Sequence, residues 1–476
     1  MTEIAKARIK KMLFPQSIDD YITDDDPVRA YDAFVDALDW DSLNVKSDKK
    51  KKGCPEYNPK SMLKVLIYGY SYGIRSSRKL ERALHHNLSF IWLASGLKPD
   101  DRTIARFRRK NKKALKHVFK QSARLCIKLD LIEGNTLFVD GTKLRANACL
   151  DRTRTPEQCK ESLAKIDQRI DEILSECDKV DRSEKDCGSL VKLKEELADR
   201  EQLKAKIEST LATLESEGLK RINTTDPDCA RMHGRQGSHA GYNGQIVVDE
   251  KHGLIVNSDV VNNNNDLNQF ANQIDQANEV LDKPCTNAAA DAGYCSGADL
   301  ARIDQQGINV VVPTPQQTSQ KEPGPFDRSK LVYNEKEDCY TCPEGHKMVR
   351  RGLHSARNAT VYSPGRDVCM ACSHFGICTK NKTIGRTIER YDNEALRQKI
   401  AARYKEPSFQ ELFSRRKQTA ELPFGHMKRN LGVDSFLLRG IDGVRAEMAV
   451  LSSCFNIVRL IGILGVTGLI DKLETF

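Results

Sequence analysis

The sequence predicts an α/β protein in which a mixed β-sheet is preceded and followed by helices and interrupted by two insertions. Three observations predict this class: helical apolar spacing near the N-terminus, short strand-like segments in the middle, and a charged and a cysteine-rich segment that divide them. The expected boundaries are 1–130 for an all-α N-terminal domain, 131–154 and 223–320 for two parts of the sheet core, 155–222 for a helical hairpin insertion, 321–385 for a small cysteine-rich insertion, and 386–476 for a C-terminal helical part of the core.

Composition narrows the class of protein. The 476 residues are 39% hydrophobic and 30% charged, which excludes wholesale disorder, and the net charge of +10 favours a polyanionic partner such as nucleic acid. The 15 cysteines are an odd number at low density, which argues against a secreted disulfide scaffold. No secretory signal is evident near the start, and Asn456 and Arg459 interrupt the apolar run 448–470, which predicts a buried helix. We expect a cytoplasmic, nucleoid-associated protein with no membrane partner.

The N-terminal domain is predicted to be helical over 61–72, 77–86 and 103–121. From residue 101 to 120 there are nine Lys or Arg residues and one acidic residue. So many positive side chains repel one another unless they are solvated or face phosphate, and binding to phosphate is favoured because it releases counterions. We therefore expect a helix-turn-helix arrangement that contacts DNA, with a solvated surface as the alternative. The residues expected to contact DNA are Arg106, Arg108, Arg109 and Lys113.

The segment 155–222 is highly charged, and its Leu and Ile residues recur at spacings of three and four. This pattern predicts two amphipathic helices joined by a polar turn near 181–188. Strand-like segments lie on both sides of it, so we expect an inserted hairpin that acts as an interaction or DNA-tracking arm.

The sheet is predicted from five short segments. Residues 136–140, 244–249 and 254–261 form three antiparallel strands, and 286–291 and 308–312 flank a helix over 298–305. Three antiparallel strands followed by a strand–helix–strand unit are the order of a mixed sheet.

Two CxxC pairs predict a metal site. Cys339 and Cys342, and then Cys369 and Cys372, are separated by 26 residues, and four thiolates are the ligand set of a structural Zn²⁺. Ordinary free cysteines are the alternative. His346, His374 and Cys378 are possible substitute ligands.

Three acidic residues predict a second metal site. Asp140 and Asp291 end strands beside small residues, and Glu421 lies on a predicted helix between Arg416 and Lys428. Mg²⁺ or Mn²⁺ requires oxygen ligands, and two-metal phosphoryl transfer requires converging carboxylates. Taken singly, each acid has a simpler explanation as a turn former, a helix cap or a solvated charge. Asp249 and Asp266 are open alternatives as a fourth acid or as loop residues.

The chain resembles the DDE transposases of bacterial insertion sequences, in the subgroup with a Tyr-Arg-Glu-Lys type signature. The resemblance covers nearly the whole chain. It rests on Tyr57-Asn-Pro-Lys, Tyr68-Gly-Tyr-Ser-Tyr-Gly-Ile-Arg75, Pro99-Asp-Asp-Arg-Thr-Ile-Ala-Arg-Phe-Arg108, Val139-Asp-Gly-Thr-Lys143, Gly241-Tyr-Asn-Gly-Gln245, Ala290-Asp-Ala-Gly-Tyr294, Glu421-x-x-Phe-Gly-x-x-Lys428 and Arg439-Gly.

The resemblance implies an RNase H-like catalytic core in which Asp140, Asp291 and Glu421 are the catalytic, Mg²⁺-binding acids. It also implies that Arg416 and Lys428 contact the DNA backbone. Two positions depart from the signature: Phe413 replaces the usual tyrosine, and the usual spacing before Glu421 falls on Lys417.

The function implied is binding of terminal inverted repeats, followed by metal-dependent strand cleavage and strand transfer into target DNA. A homodimer is expected in the synaptic complex. An RNase H-like nuclease, which would not join ends, and an inactive zinc-containing DNA-binding protein, which would lack one of the acids, are the alternatives.

Overall fold

Helices form the N-terminal part of the chain in the computed structural model, which describes residues 17–46, 56–183, 187–234, 237–314, 317–318, 323–355, 359–381 and 383–475. The helices before the sheet are α1 Pro27–Asp36, α2 Trp40–Leu43, α3 Pro59–Ser71, α4 Ser77–His86, α5 Leu88–Leu93, α6 Asp101–Lys110 and α7 Lys112–Lys128. The single helix predicted over 103–121 is wrong, because the chain breaks at Asn111. The Asn111 side chain donates to the carbonyl of Phe107 and accepts from the Lys46 N–H, which fixes the break.

A mixed sheet forms the middle of the molecule, as predicted. Its six strands are β1 Thr136–Arg145, β4 Ala230–Gly234, β5 Gly237–Asp249, β6 Ile255–Val261, β7 Asn287–Ala289 and β8 Asn309–Val311. Between β1 and β4, the short strands β2 Thr153–Arg154 and β3 Ile222–Asn223 form a separate two-stranded stem. β5 pairs antiparallel with β1, β4 and β6, whereas β7 pairs parallel with β1 and β8. The connections are α10 Phe270–Leu281 after β6 and α11 Gly297–Gln305 between β7 and β8.

The predicted hairpin consists of α8 Pro156–Ser183 and α9 Cys187–Ser216, and its connection at 184–186 lies outside the described residues. Ile166 and Ile173 of the predicted stripe are buried. At the base, β2 pairs with β3, and Cys159, Leu214 and Ile222 form a small core. The hairpin therefore leaves and rejoins the chain through one narrow stem.

The cysteine-rich region is an antiparallel sheet with its own small core. Its elements are β9 Val332–Asn334, β10 Cys339–Thr341, β11 Lys347–His354, β12 Ala359–Ser363, α12 Arg366–Met370 and β13 Ile388–Tyr391. The expected boundary at 385 is too early, because β13 pairs with β12 and Ile388 belongs to the core of this unit.

The C-terminal part is helical: α13 Glu394–Arg403, α14 Pro407–Arg429, α15 Ile441–Leu464 and α16 Val466–Glu474. Within the described ranges, α15 alone is long and apolar enough to span a membrane, but 67% of its most apolar window is buried inside the protein. Asn456 of α15 exchanges two hydrogen bonds of 2.9 Å with the backbone of Ile255 in β6. The buried helix predicted from the sequence is therefore confirmed as a core helix, which ends before Gly465.

Residues from the N-terminal helices, the sheet and α15 share one hydrophobic core. A buried ion pair joins the same parts, since Arg75 Nη1 lies 3.1 Å from Glu447 Oε1 on α15. Glu447 also accepts from the N–H groups of Leu437 and Leu438. The N-terminal helices are thus joined to the sheet core, chiefly through α7 and α15.

Candidate active site

Asp140 lies within β1, and Asp291 lies two residues after the end of the neighbouring strand β7. β1 and β7 are parallel, and Phe138 pairs with Ala289, so each aspartate lies two residues beyond that pair. The Asp291 side chain accepts a 2.8 Å hydrogen bond from Gly293 N–H and so caps the short 3-10 helix Ala292–Tyr294. The strand predicted to end at Asp140 continues to Arg145, but the parallel register of β1 and β7 brings these two acids together.

Glu421 approaches this edge from α14. On the buried side of the helix, Leu412 and Ala420 pack against Phe138 of β1, which fixes how α14 crosses the sheet. Glu421 is exposed and lines the same groove as Asp140, with a volume of about 970 Å³. The basic residues of this groove are Lys143, Arg145, Lys428 and Arg429. Lys428 Nζ donates to Thr142 Oγ1 at 2.5 Å, so it lies over β1 next to the acids.

The three acids interact electrostatically. Burial raises the pKa of Asp140 to about 7; Arg416 lowers the pKa, and the negative charges of Asp291 and Glu421 raise it. Mutual repulsion of this kind is relieved by a cation, and carboxylate oxygens are the ligands of hard divalent metals. The residues that could hold a catalytic metal are therefore Asp140, Asp291 and Glu421.

Arg416 is buried beside Asp140. Its Nη1 lies 3.6 Å from Asp140 Oδ1, and 9% of its side chain is exposed. Its Cζ lies 5.4 Å from the centre of the Phe413 ring, which packs edge-on against Tyr404. Arg416 Nε and Nη1 have no hydrogen-bond acceptor among the described residues, so both can donate a hydrogen bond to an anionic oxygen. Lys417, at the usual signature spacing, is exposed.

A polar network behind Asp140 was missed by the sequence reasoning. Asp266 Oδ1 accepts hydrogen bonds of 2.8 Å from Asn243 and Gln245, and Tyr294 donates to Gln245 Oε1. The network fills the space where Gly141 has no side chain. The motifs 241–245 and 290–294 were the available signal, but sequence alone did not show that they meet.

The two alternative acids have different positions. Asp266 belongs to this network, and its charge acts on Tyr294 together with those of Asp140 and Asp291. Asp249 pairs with Leu137 further back along β1 and accepts from the N–H groups of Gly134 and Lys251, so it is a loop acid.

The expected DNA-contact role is wrong for Arg108. This side chain is 7% exposed and donates to Tyr70 Oη, the Arg75 carbonyl and Ser77 Oγ, so its charge is used to join α3, α4 and α6. Arg106, Arg109 and Lys113 are exposed. These three remain available for DNA.

The cysteine-rich unit gathers a different set of thiols from the predicted one. Cys342, Cys369, Cys372 and Cys378 line one cavity, to which His346 and His374 also contribute. Cys339, which was predicted as a ligand, does not line that cavity, and its Sγ lies 3.8 Å from Glu337 Oε2. In the part of the chain that the structure describes, no three His, Cys, Asp or Glu side chains are already assembled as a metal site.

Two family models match the chain. One, described as "Transposase domain (DUF772)", matches residues 16–110, and the other, described as "Transposase DDE domain", matches residues 341–461. The second match includes the cysteine-rich unit, α14 and most of α15. No match to a curated protein or to a solved structure was found.

Proposed function

Because the chain belongs to the DDE transposases, we propose that it binds the terminal inverted repeats of a bacterial insertion sequence and catalyses DNA strand cleavage and strand transfer. The strand order supports an RNase H-like catalytic core: β1, β5 and β6 are antiparallel neighbours, and β7 and β8 continue the sheet in parallel. The N-terminal helices and the groove beside Asp140 would contact the DNA.

One observation carries this proposal: Asp140, Asp291 and Glu421 interact electrostatically although they are far apart in the sequence. The three carboxylates fit Mg²⁺ or Mn²⁺, because carboxylate oxygens are the ligands of hard divalent metals. Burial raises the pKa of Asp140, and the charges of Asp291 and Glu421 raise it further, so a bound cation would stabilise the ionised form. A bound metal pair would activate the attacking oxygen and stabilise the leaving oxygen of the phosphodiester.

The protein's own residues prepare the site for this chemistry. Arg416 favours the ionised form of Asp140 and directs unpartnered N–H groups into the same region. Lys428 and Arg145 on the groove wall would hold the DNA backbone, and burial together with Arg145 and Lys143 lowers the pKa of His239 on that wall. Four basic side chains line the groove against the three acids Asp140, Glu421 and Asp434, so it carries a small positive excess that favours a phosphate backbone.

DNA affinity away from the cut would come from Arg106, Arg109 and Lys113. The hairpin α8–α9 would act as an arm in synapsis, where a homodimer would hold two element ends.

The test is a strand-transfer assay with purified protein, labelled end DNA and Mg²⁺. We expect both nicked ends and joined products, and neither with Glu421→Gln, which keeps the size of an exposed side chain but removes its charge. Nicked ends without joined products would favour the nuclease alternative. Binding without nicking by the wild-type chain would favour the inactive DNA-binding alternative.

A further inference from the structure

We infer that Cys342, Cys369, Cys372 and Cys378 bind one structural Zn²⁺, and that Cys339 is not a ligand. This inference does not depend on the proposed catalytic function, because it concerns the separate sheet β9–β13. It also differs from the two-CxxC pairing, since the first CxxC pair contributes one cysteine and the fourth ligand comes from the loop after the second pair.

Cys342 lies in a tight turn between β10 and β11. The Cys342 N–H donates to the His346 carbonyl at 3.0 Å, and Gly345, with φ +81°, donates to the Cys342 carbonyl at 2.8 Å. The turn reverses the chain directly after the thiol, so that Cys342 is presented at the end of the sheet. Only glycine adopts this backbone conformation at little cost.

Cys369 and Cys372 lie at the end of α12, and Cys378 lies one loop further. The Cys372 N–H donates to the Cys369 carbonyl, and the Cys378 N–H donates to the His374 carbonyl. The Arg386 N–H donates to Cys369 Sγ at 3.4 Å. A backbone donor of this kind supports the negative charge of a metal-bound sulfur.

Backbone also approaches Cys369 closely at Gly385. A side chain at Gly385 would place its first carbon 2.8 Å from Cys369 Sγ, and the residue has φ +81°. The chain therefore closes around this sulfur, which leaves the thiol facing the cavity shared with the other three cysteines.

The four cysteines line a cavity of about 30 Å³, large enough for one small ion. Cys378 interacts electrostatically with Cys342, Cys369 and Cys372. Among the described residues, these side chains do not converge closely enough to form a finished ligand shell. A tetrahedral Zn²⁺ with bonds of about 2.3 Å would bring its sulfurs to about 3.8 Å from one another, and thiols lose their protons only when the metal binds.

Cys339 points to a different environment. Its Sγ lies 3.8 Å from Glu337 Oε2, and Lys347 Nζ forms a 2.7 Å ion pair with the same carboxylate. A thiolate here would face a carboxylate instead of three sulfurs. Cys339 is thus the natural matched control for the other four cysteines.

Zinc would have a structural role in this unit. Five buried side chains make up its hydrophobic core, and Ile377 and Ile384 are 74% and 56% exposed on the loops that carry the ligands. A unit this small requires a bound metal or another cross-link to stabilise it in addition to its hydrophobic core. Four cysteine ligands leave no position for a catalytic water.

The test uses the full-length chain, purified reduced and without chelator, with zinc measured by elemental analysis. We expect about one zinc per chain in the wild type and in Cys339→Ser, and less than about one fifth of that in Cys378→Ser. Cys378→His should retain zinc, because imidazole replaces thiolate as a ligand, which separates ligand loss from misfolding. Replacement by Co²⁺ should give sulfur-to-metal charge-transfer bands of a four-thiolate site.

Loss of zinc from Cys339→Ser with retention in Cys378→Ser would overturn the assignment and restore the two-CxxC pairing. A wild-type chain that binds no zinc after equilibration with Zn²⁺ would overturn it altogether. Neither result affects the strand-transfer test, which reads a different site.

Discussion

Arg416 and Asp140 form a buried pair, with Nη1 3.6 Å from Oδ1, at the edge where the proposed catalytic acids meet. The guanidinium lowers the pKa of a carboxyl group that burial has raised to about 7. Arg416 therefore partly replaces the charge that a divalent metal would supply. This relationship determines how the metal-free protein should respond to pH.

The first prediction concerns Asp140→Asn in the metal-free protein. Because the pKa of Asp140 is higher folded than its ordinary value of 3.8, the folded state retains a proton that the unfolded state has lost. Its stabilising contribution is present below pH 3.8 and is lost as the pH rises to about 7. We expect Asp140→Asn to be more stable than the wild type at pH 8 by roughly 2 kcal/mol and equal to it near pH 4.

The measurement is urea unfolding of both proteins at the two pH values with chelator present. An equal free-energy difference at pH 4 and pH 8 would show that Asp140 does not titrate in this range. Adding Mg²⁺ at pH 8 should stabilise the wild type and leave Asp140→Asn nearly unchanged.

The second prediction separates catalysis from binding. Arg416→Gln and Lys428→Gln should each reduce single-turnover cleavage more than equilibrium binding, by roughly 100-fold for Arg416, because each removes a phosphate contact near the cut. Arg416→Gln should also move the pH profile of cleavage upward, since Asp140 loses its cation. Gel-shift affinity and cleavage are measured for each variant, and equal losses of both would contradict the assignment.

The third prediction compares two neighbouring arginines. Arg108→Ala should destabilise the protein by about 2 to 4 kcal/mol, because it leaves the groups on α3 and α4 without their donor. Arg109→Ala should leave stability unchanged but weaken DNA binding and reduce its dependence on salt. Thermal unfolding and salt-dependent gel shifts test the pair. A stable Arg108→Ala variant that binds DNA weakly would restore its contact role.

The fourth prediction concerns Gly141→Ala. A methyl group there would lie 2.6 Å from Gln245 Nε2 and 2.7 Å from both Asp266 Oδ1 and Tyr294 Oη. We expect a loss of about 1 to 3 kcal/mol in stability and a larger loss of cleavage than of DNA binding, because the network next to Asp140 must move. Gly462→Ala on α15 is the control, since no described residue beyond its own helix backbone lies within 4 Å of the added carbon. Cleavage unaffected by Gly141→Ala would remove the network from the active site.

The fifth prediction concerns the hairpin. Replacing residues 163–211 by a short Gly/Ser linker keeps the stem and its buried base at Cys159, Leu214 and Ile222. We expect the remaining chain to unfold cooperatively and to nick single ends, whereas strand transfer that needs two ends decreases. If the shortened chain does not fold, the hairpin is part of the core.

Much of this architecture could be predicted because the signals are local. Short apolar segments predicted the sheet. The predicted strand end at Asp140 was wrong, because β1 continues to Arg145, but the parallel register of β1 and β7 still places Asp140 beside Asp291. The buried position of Arg108 could not be predicted, because the sequence of a basic segment does not show which side chains face solvent and which one contacts Tyr70. The position of Cys339 outside the cavity could not be predicted either, since a β-strand sends successive side chains to opposite faces and sequence spacing does not reveal which face holds the cavity.

Helix α15 has a consequence for the distance between bound DNA and the proposed cleavage site. It packs at once against α3, α7 and β6, and Glu447 is joined to Arg75, so it connects the exposed face of α6 and α7 to the sheet that carries Asp140. DNA held on that face would lie at a constant distance from Asp140. This distance would fix the number of base pairs between the recognised sequence and the cut. Altering sequence preference would then require new side chains on this face, and an exchanged N-terminal domain would lose the spacing.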